Sequence, residues 1–255
     1  MLMLLPPSET KAPGGDGPPL RLDMLAHPEL VPVRRKLIDE LVGLAGQGAV
    51  GLAALGLSEH QYGELERNAA LWTSPTLPAL RRYTGVLYDA LDVGSLRRAE
   101  RARAGARLAV ASALFGLLAA DDAVPAYRLS ASSSLPGLGT VRSAWRPVLP
   151  PVLARITGLV VDLRSGTYAD LGPLPGAVTV RVLSADERGQ RRTVSHHNKA
   201  HKGRVARLLA TAPREVAGVE GVARVIRRGG LVVERTGERA LDVVLSAGCG
   251  GKPVA

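Results

Sequence analysis

The sequence predicts a mixed α/β fold, and three observations carry that prediction. Short apolar runs at Met1–Leu5, Leu108–Leu114 and Gly158–Leu163 have the length and continuity of strands buried on both faces. Between them lie longer segments with apolar residues at helical spacing. Towards the end, Ala177–Leu183 with Arg191–Ser195, and Gly230–Glu234 with Leu241–Ser246, read as β-hairpins, the first over a polar turn containing Gly189. At 255 residues the chain is long enough for one large domain or two small ones. Phe, Trp and Tyr together make up only 3% of residues, so the core has to be built from Leu, Val and Ala.

Taken in order, the first strand runs into a long loop, residues 6–19, whose Pro and Gly content reads as flexible. Because it leaves a strand end, where α/β sheets hold ligands, it is a candidate functional loop. Ser8 and Lys11 have the Ser-x-x-Lys spacing of penicillin-recognising enzymes. That chemistry needs both residues on one helical turn, which Pro13, Gly14 and Gly15 argue against, and the partner triplets are missing. Val33–Ala45 is an amphipathic helix with Leu37, Leu41 and Leu44 inward and Arg34, Arg35, Asp39 and Glu40 outward. The G-x-G-x-x-G of Gly46–Gly51 follows this helix, whereas a dinucleotide site needs a strand there, so it reads as a turn. Ser58 and Gln61 form a capping box, with Leu57 and Tyr62 as its staple, for a helix ending at Trp72. Ser95 caps a helix that carries Arg97, Arg98, Arg101, Arg103 and Arg107 against Glu100 alone. Ser130–Gly139 is a loop, and Trp145–Ile156 is helical after a proline-interrupted start.

Charge narrows the function. The chain has a net charge of +10 and a pI near 10.4, which suits an anionic partner such as nucleic acid. A high-Arg, high-Ala composition can also be genomic habit. From Arg188 to Arg214 there are eight Lys or Arg residues and no Asp or Glu. From His197 the pattern is helical, with Val205, Leu208, Leu209 and Ala212 on one side and Lys199, Lys202 and Arg204 in the opening turns. Cations are unfavourable at the positive end of a helix dipole, and an anion bound there would account for them. A solvated basic face is the plainer alternative. His197 and His201 stand at i, i+4, but with no third ligand and cationic neighbours no metal is expected, and no cofactor. No triad, carboxylate pair or phosphate loop is present, and Pro253 excludes a phosphate loop at Gly248–Lys252. The one cysteine, Cys249, excludes an internal disulfide and fits a reducing compartment. No run approaches the ~18 apolar residues of a spanning helix, and Met1–Leu5 is too short for a signal-peptide core. The expectation is a cytoplasmic protein that does not engage membranes.

The strand followed by Ser195, Lys199, Lys202 and Gly203 resembles the signature of the YaaA family, associated with the peroxide stress response. Other segments match in the same order. Tyr83–Tyr88 is similar to the family's aromatic–x–Gly segment, Ser112–Leu129 to its Ser–Gly–Leu–Tyr–Gly…Asp…Tyr–Arg–Leu block, and Arg164–Tyr168 to its Leu–x–Ser–x–Glu–Tyr. Ala113 and Thr167 depart from the usual Gly and Glu, and in the first loop Glu9 precedes Thr10 where the family has Lys. The resemblance implies a single mixed α/β domain over 1–255, with a central mixed sheet, flanking helices and a basic cleft, the loop 6–19 and tail 247–255 being flexible. It also implies a helix-hairpin-helix, although the Val33–Trp72 pair reads as an ordinary helical hairpin. It further implies DNA binding that limits oxidative damage during peroxide stress. The expected DNA contacts are Lys199, Lys202, Gly203, Arg204, Arg207, Arg128 and Lys11, and the motif residues facing the cleft are Ser195, Tyr127, Asp122, Ser165 and Tyr168. Arg128 can hold a phosphate bidentately or simply pair with Asp122. With few aromatic platforms, binding to duplex or distorted DNA is expected to follow shape and charge with little sequence readout. The alternative is an enzyme using the same cleft for a small anionic substrate, with Arg128 and Lys199 as clamps. No residue stands out as its nucleophile or base.

Overall fold

The structure, a computed structural model, describes residues 1–185, 191–192 and 195–245. Its centre is a mixed sheet built from β1 (Leu2–Leu5), β2 (Leu108–Ser112), β3 (Gly116–Ala119), β4 (Val160–Asp162), β5 (Val178–Ala185), β6 (Arg191–Arg192), β7 (Val232–Gly237) and β8 (Ala240–Leu245). The order is β7-β8-β5-β4-β1-β2-β3, with β6 pairing the far end of β5. Strands β8, β5, β4, β1 and β2 run parallel, and β7, β3 and β6 close hairpins against them. The parallel strands are covered on both sides, which is why Leu4, Val110, Val161 and Val178 are all fully buried.

The named helices are α1 (Val31–Ala45), α2 (Ala49–Leu55), α3 (Tyr62–Ala69), α4 (Val86–Leu91), α5 (Arg98–Arg107), α6 (Ser195–Thr211) and α7 (Gly218–Arg228). Helix α6 packs on β1 and β5 and against α4, α5 and α7. Its closest approach is to α4, at Gly203. A Cβ there would lie 2.1 Å from the Leu87 carbonyl oxygen, so only glycine fits.

The fold class follows the sequence, and several local details do not: Ser195, expected to end a strand, opens α6, and the helix expected to reach Trp72 ends at Ala69. Arg34 does not face outward. It is fully buried, donating to the carbonyls of Phe115 at 3.0 Å, Leu117 at 2.9 Å and Ala26 at 2.9 Å. The strand expected to reach Leu114 stops at Ser112, because the β2–β3 turn begins there and Gly116 adopts φ 73°. Trp145–Ile156 is not one helix. It divides into Val141–Trp145 and Leu149–Ala154, with Pro147 at the break, and Trp145 plugs the β2–β3 turn by donating to the Ala113 carbonyl at 2.7 Å. Ser95 does not cap α5. Arg97 occupies that position and its N–H donates to the Glu100 carboxylate at 3.0 Å. The capping box at Ser58 forms, the Ser58 N–H donating to Gln61 Oε1 at 3.1 Å. The expected Gly189 turn, the expected tail 247–255 with Cys249, and the side chains of Ser195, His196 and His197 lie outside the described residues.

Candidate functional site

Strands β1, β2 and β4 end at one edge of the sheet, in Leu5, Ser112 and Asp162, and the segments that leave them meet there. In parallel sheets this carboxyl edge is where ligands bind. The loop after β1 is held from beneath by Arg82. This fully buried guanidinium donates to the carbonyls of Ala12, Gly14 at 2.7 Å and Val124 at 3.0 Å. A bridge between Lys11 and Tyr83 adds a backbone contact.

Pinned in this way, Lys11 lies with its ammonium 4.1 Å from the Tyr127 ring centre and 5.4 Å from that of Tyr83. It donates to the carbonyls of Ser8 at 3.2 Å and Glu9 at 3.3 Å. Burial lowers its pKa to about 7, helped by the nearby positive charge of Arg128 and opposed by Glu64 and Glu9. Beneath it the hydroxyls of Tyr83 and Tyr127 meet at 2.7 Å, and Tyr127 meets Ser112 Oγ at 2.7 Å. The Phe115 N–H donates to Ser112 at 2.9 Å. Burial raises the pKa of both tyrosines, so this chain of hydroxyls is neutral at physiological pH.

Arg128 does not pair with Asp122. It forms an ion pair with Glu9, and its backbone is clamped by the fully buried Asn68, whose amide donates to the Arg128 carbonyl and accepts its N–H, both at 2.9 Å. Asp122 lies at the other end of the β2–β3 hairpin, where its carboxylate accepts the N–H groups of Ala26 at 3.0 Å and Ala119 at 2.9 Å. Tyr168 stands beside Glu9 and Arg128, its pKa pushed up to about 12, mainly by burial. Ser165 is exposed at the start of the short Gly166–Ala169 helix.

The basic residues of α6 divide. Lys199 is exposed. Lys202 reaches inward to the Leu163 carbonyl at 2.9 Å, just past β4, and burial lowers its pKa. Arg204 donates to the Gly229 carbonyl at 2.7 Å. Arg207 donates to the carbonyls of Leu91 at 2.7 Å and Asp92 at 2.6 Å and to Ser95 at 2.7 Å, closing the end of α4. Gly203 is buried in the α4–α6 contact.

The edge therefore brings together Lys11, Tyr127, Arg128, Tyr168 and Lys202 from the expected set, and leaves Asp122, Arg204 and Arg207 elsewhere. It adds Glu9, Asn68, Tyr83 and Ser112. Four of the five tyrosines matter here: Tyr83, Tyr127 and Tyr168 with Tyr88, which stacks on Tyr83 at 5.6 Å and donates to the Pro6 carbonyl. In a chain so poor in aromatics, that scarcity was the signal available. No group of three or more possible metal ligands occurs among the described residues.

Comparison with known proteins places the chain in a family. The family model described as peroxide stress protein YaaA matches residues 1–231. The chain belongs to the YaaA family. A UPF0246 protein of Corynebacterium efficiens is 48% identical over 238 residues, covering 92% of this chain and 95% of the relative. One from Streptomyces coelicolor is 46% identical over 220 residues, covering 83% and 84%. YaaA membership supports a role in oxidative stress. No helix among the described residues is long and apolar enough to cross a membrane.

Proposed function

We propose that this chain is a DNA-binding protein of the peroxide response that holds the phosphate backbone at the carboxyl edge and so limits oxidative damage to DNA. One observation carries the reading. Helix α6 opens beyond the strand ends with no acidic residue in its first turn, and Lys199 stands there exposed on a chain of charge +10. A phosphate would complement both the first-turn N–H groups and the dipole. Family membership supports the peroxide setting.

The test is fluorescence anisotropy of a labelled duplex across a salt series. A log–log slope of about −3 or steeper is expected, made shallower by about one unit in Lys199→Ala. Weak binding that Lys199→Ala leaves unchanged overturns the reading. A second reading, an enzyme acting on a small anionic substrate, is favoured by Lys11. With its pKa at about 7 beside the Tyr83–Tyr127–Ser112 hydroxyls, it is partly neutral at physiological pH and able to accept a proton. Ligands of one or two charges and a slope near zero would mark that case.

A further inference from the structure

Asn198 is 95% buried, with 5% of its surface exposed, and neither its Nδ2 nor its Oδ1 has a hydrogen-bond partner among the described residues. No other side chain among the described residues is in this position. Buried polar atoms are nearly always satisfied, so an orphaned donor and acceptor on one side chain ask what completes them.

Its place in the helix answers where. Asn198, Lys202, Val205 and Leu209 fall on one stripe of α6 at i, i+4, i+7 and i+11, and Val205 and Leu209 are fully buried. Lys202 reaches the Leu163 carbonyl at the carboxyl end of β4. Asn198 lies one turn nearer the helix start, and helix side chains lean that way, so its amide, closed off from solvent in this structure, lies towards the strand ends. Lys199, the next residue, is exposed.

We infer that the start of α6 is a nucleobase subsite, in which Asn198 pairs with the donor–acceptor edge of a base and Lys199 and the helix N–H groups take its phosphate. A planar carboxamide offers one donor and one acceptor side by side, the pattern that matches adenine N6 and N7. A backbone phosphodiester can satisfy Nδ2 but has no O–H to donate to Oδ1. A base inside a duplex stack cannot reach a side chain this buried, so the base must be unstacked, in a single strand, at an extruded position or in a free nucleotide. For DNA as the source, the inference rests on the reading of the preceding section.

The experiment compares two oligonucleotides of equal length and charge, an adenine-containing single strand and the same strand with abasic sites, together with free adenosine monophosphate. Wild type should bind the base-containing strand more tightly than the abasic one. Asn198→Leu should lose about fivefold to a hundredfold on the base-containing strand, keep its abasic affinity and salt slope, and melt no lower than wild type. Asn198→Ser, which stays polar but lacks the two-point edge, should behave likewise and serves if the leucine variant does not fold. Equal affinity of wild type and both variants for the base-containing strand overturns the subsite while leaving phosphate binding standing. A lower melting temperature in Asn198→Leu with unchanged base binding also overturns it, as the mark of a buried water bridging the amide. Asn198-dependent binding of the free nucleotide without strand binding upholds the subsite and removes the DNA reading. No binding of any of the three ligands removes both.

Discussion

Replacing Gly203 by alanine tests whether this residue serves packing or ligand contact. The new Cβ would meet the Leu87 carbonyl oxygen at 2.1 Å and Ala90 Cβ at 2.9 Å. An ordinary contact begins near 3.4 Å, so α4 and α6 must separate by about 1 Å, and the obstacle is backbone that cannot swing aside. Forced overpacking of this kind costs about 1–3 kcal/mol. Helix propensity returns ~0.8–1.0 kcal/mol for Gly→Ala, which leaves a net loss of up to about 2 kcal/mol. For a chain of this size that lowers Tm by up to about 8 °C. Gly43 in α1 is the control, since a Cβ there meets nothing within 4 Å, and Gly43→Ala should raise Tm by about 2 °C. Thermal and urea unfolding of the two variants beside wild type reads the difference. If Gly203→Ala is as stable as Gly43→Ala, the close crossing of α4 and α6 is wrong.

Tyr127→Phe removes the hydroxyl that joins Tyr83 to Ser112 and leaves buried partners unpaired. A loss of about 1–3 kcal/mol in urea unfolding is expected, and a loss under about 0.5 kcal/mol would show the network to be idle. Arg207→Met should lower stability by a similar amount through the carbonyls of Leu91 and Asp92, while the salt slope for DNA stays within about 0.3 of wild type. A slope change near one unit would instead make Arg207 a phosphate contact. For Lys11 the folded pKa of about 7 lies below the unfolded 10.5, so between these values the unfolded chain binds more protons and stability rises with pH. Chemical unfolding from pH 7 to 9.5 should show wild type gaining stability relative to Lys11→Met. A flat difference would show that the tyrosine rings and carbonyls hold the ammonium fully charged.

The sheet was legible because its strands declare themselves: Leu2–Leu5 is wholly apolar, Leu108–Ser112 and Val160–Asp162 are apolar up to their last residue, and the two terminal hairpins carry turn residues between β-branched segments. What escaped reading was what charged residues do once buried. Arg34 sits at i−3, i−4 and i−7 from Leu37, Ile38 and Leu41, on the inward stripe of α1, but charge argued for the outside and prevailed over spacing. Its partners are carbonyls of the β2–β3 hairpin about eighty residues away, which no local pattern can show. The same holds at the edge. Lys11 and Arg128 could be singled out as cations, but Glu9 as the partner of Arg128 and Asn68 as its clamp are tertiary facts. Asn198 sat unremarked in the middle of the basic run, because an amide flanked by lysines reads as surface until its burial is known.

Arg34, Arg82, Arg107, Lys202, Arg204 and Arg207 all direct their cations at backbone carbonyls. The positive charge of this chain therefore consists of two populations. One is mortar, fully buried at Arg34 and Arg82 and half-buried or at the surface in the others, and it is bound mainly to carbonyl oxygens. The other, with Lys199 in it, is exposed to whatever electrolyte surrounds the protein. Salt acts on the second far more than on the first, so a rise in ionic strength should strip an anionic partner while the fold keeps its stiffness. The effective valence the chain presents to an anionic partner is smaller than its formal +10.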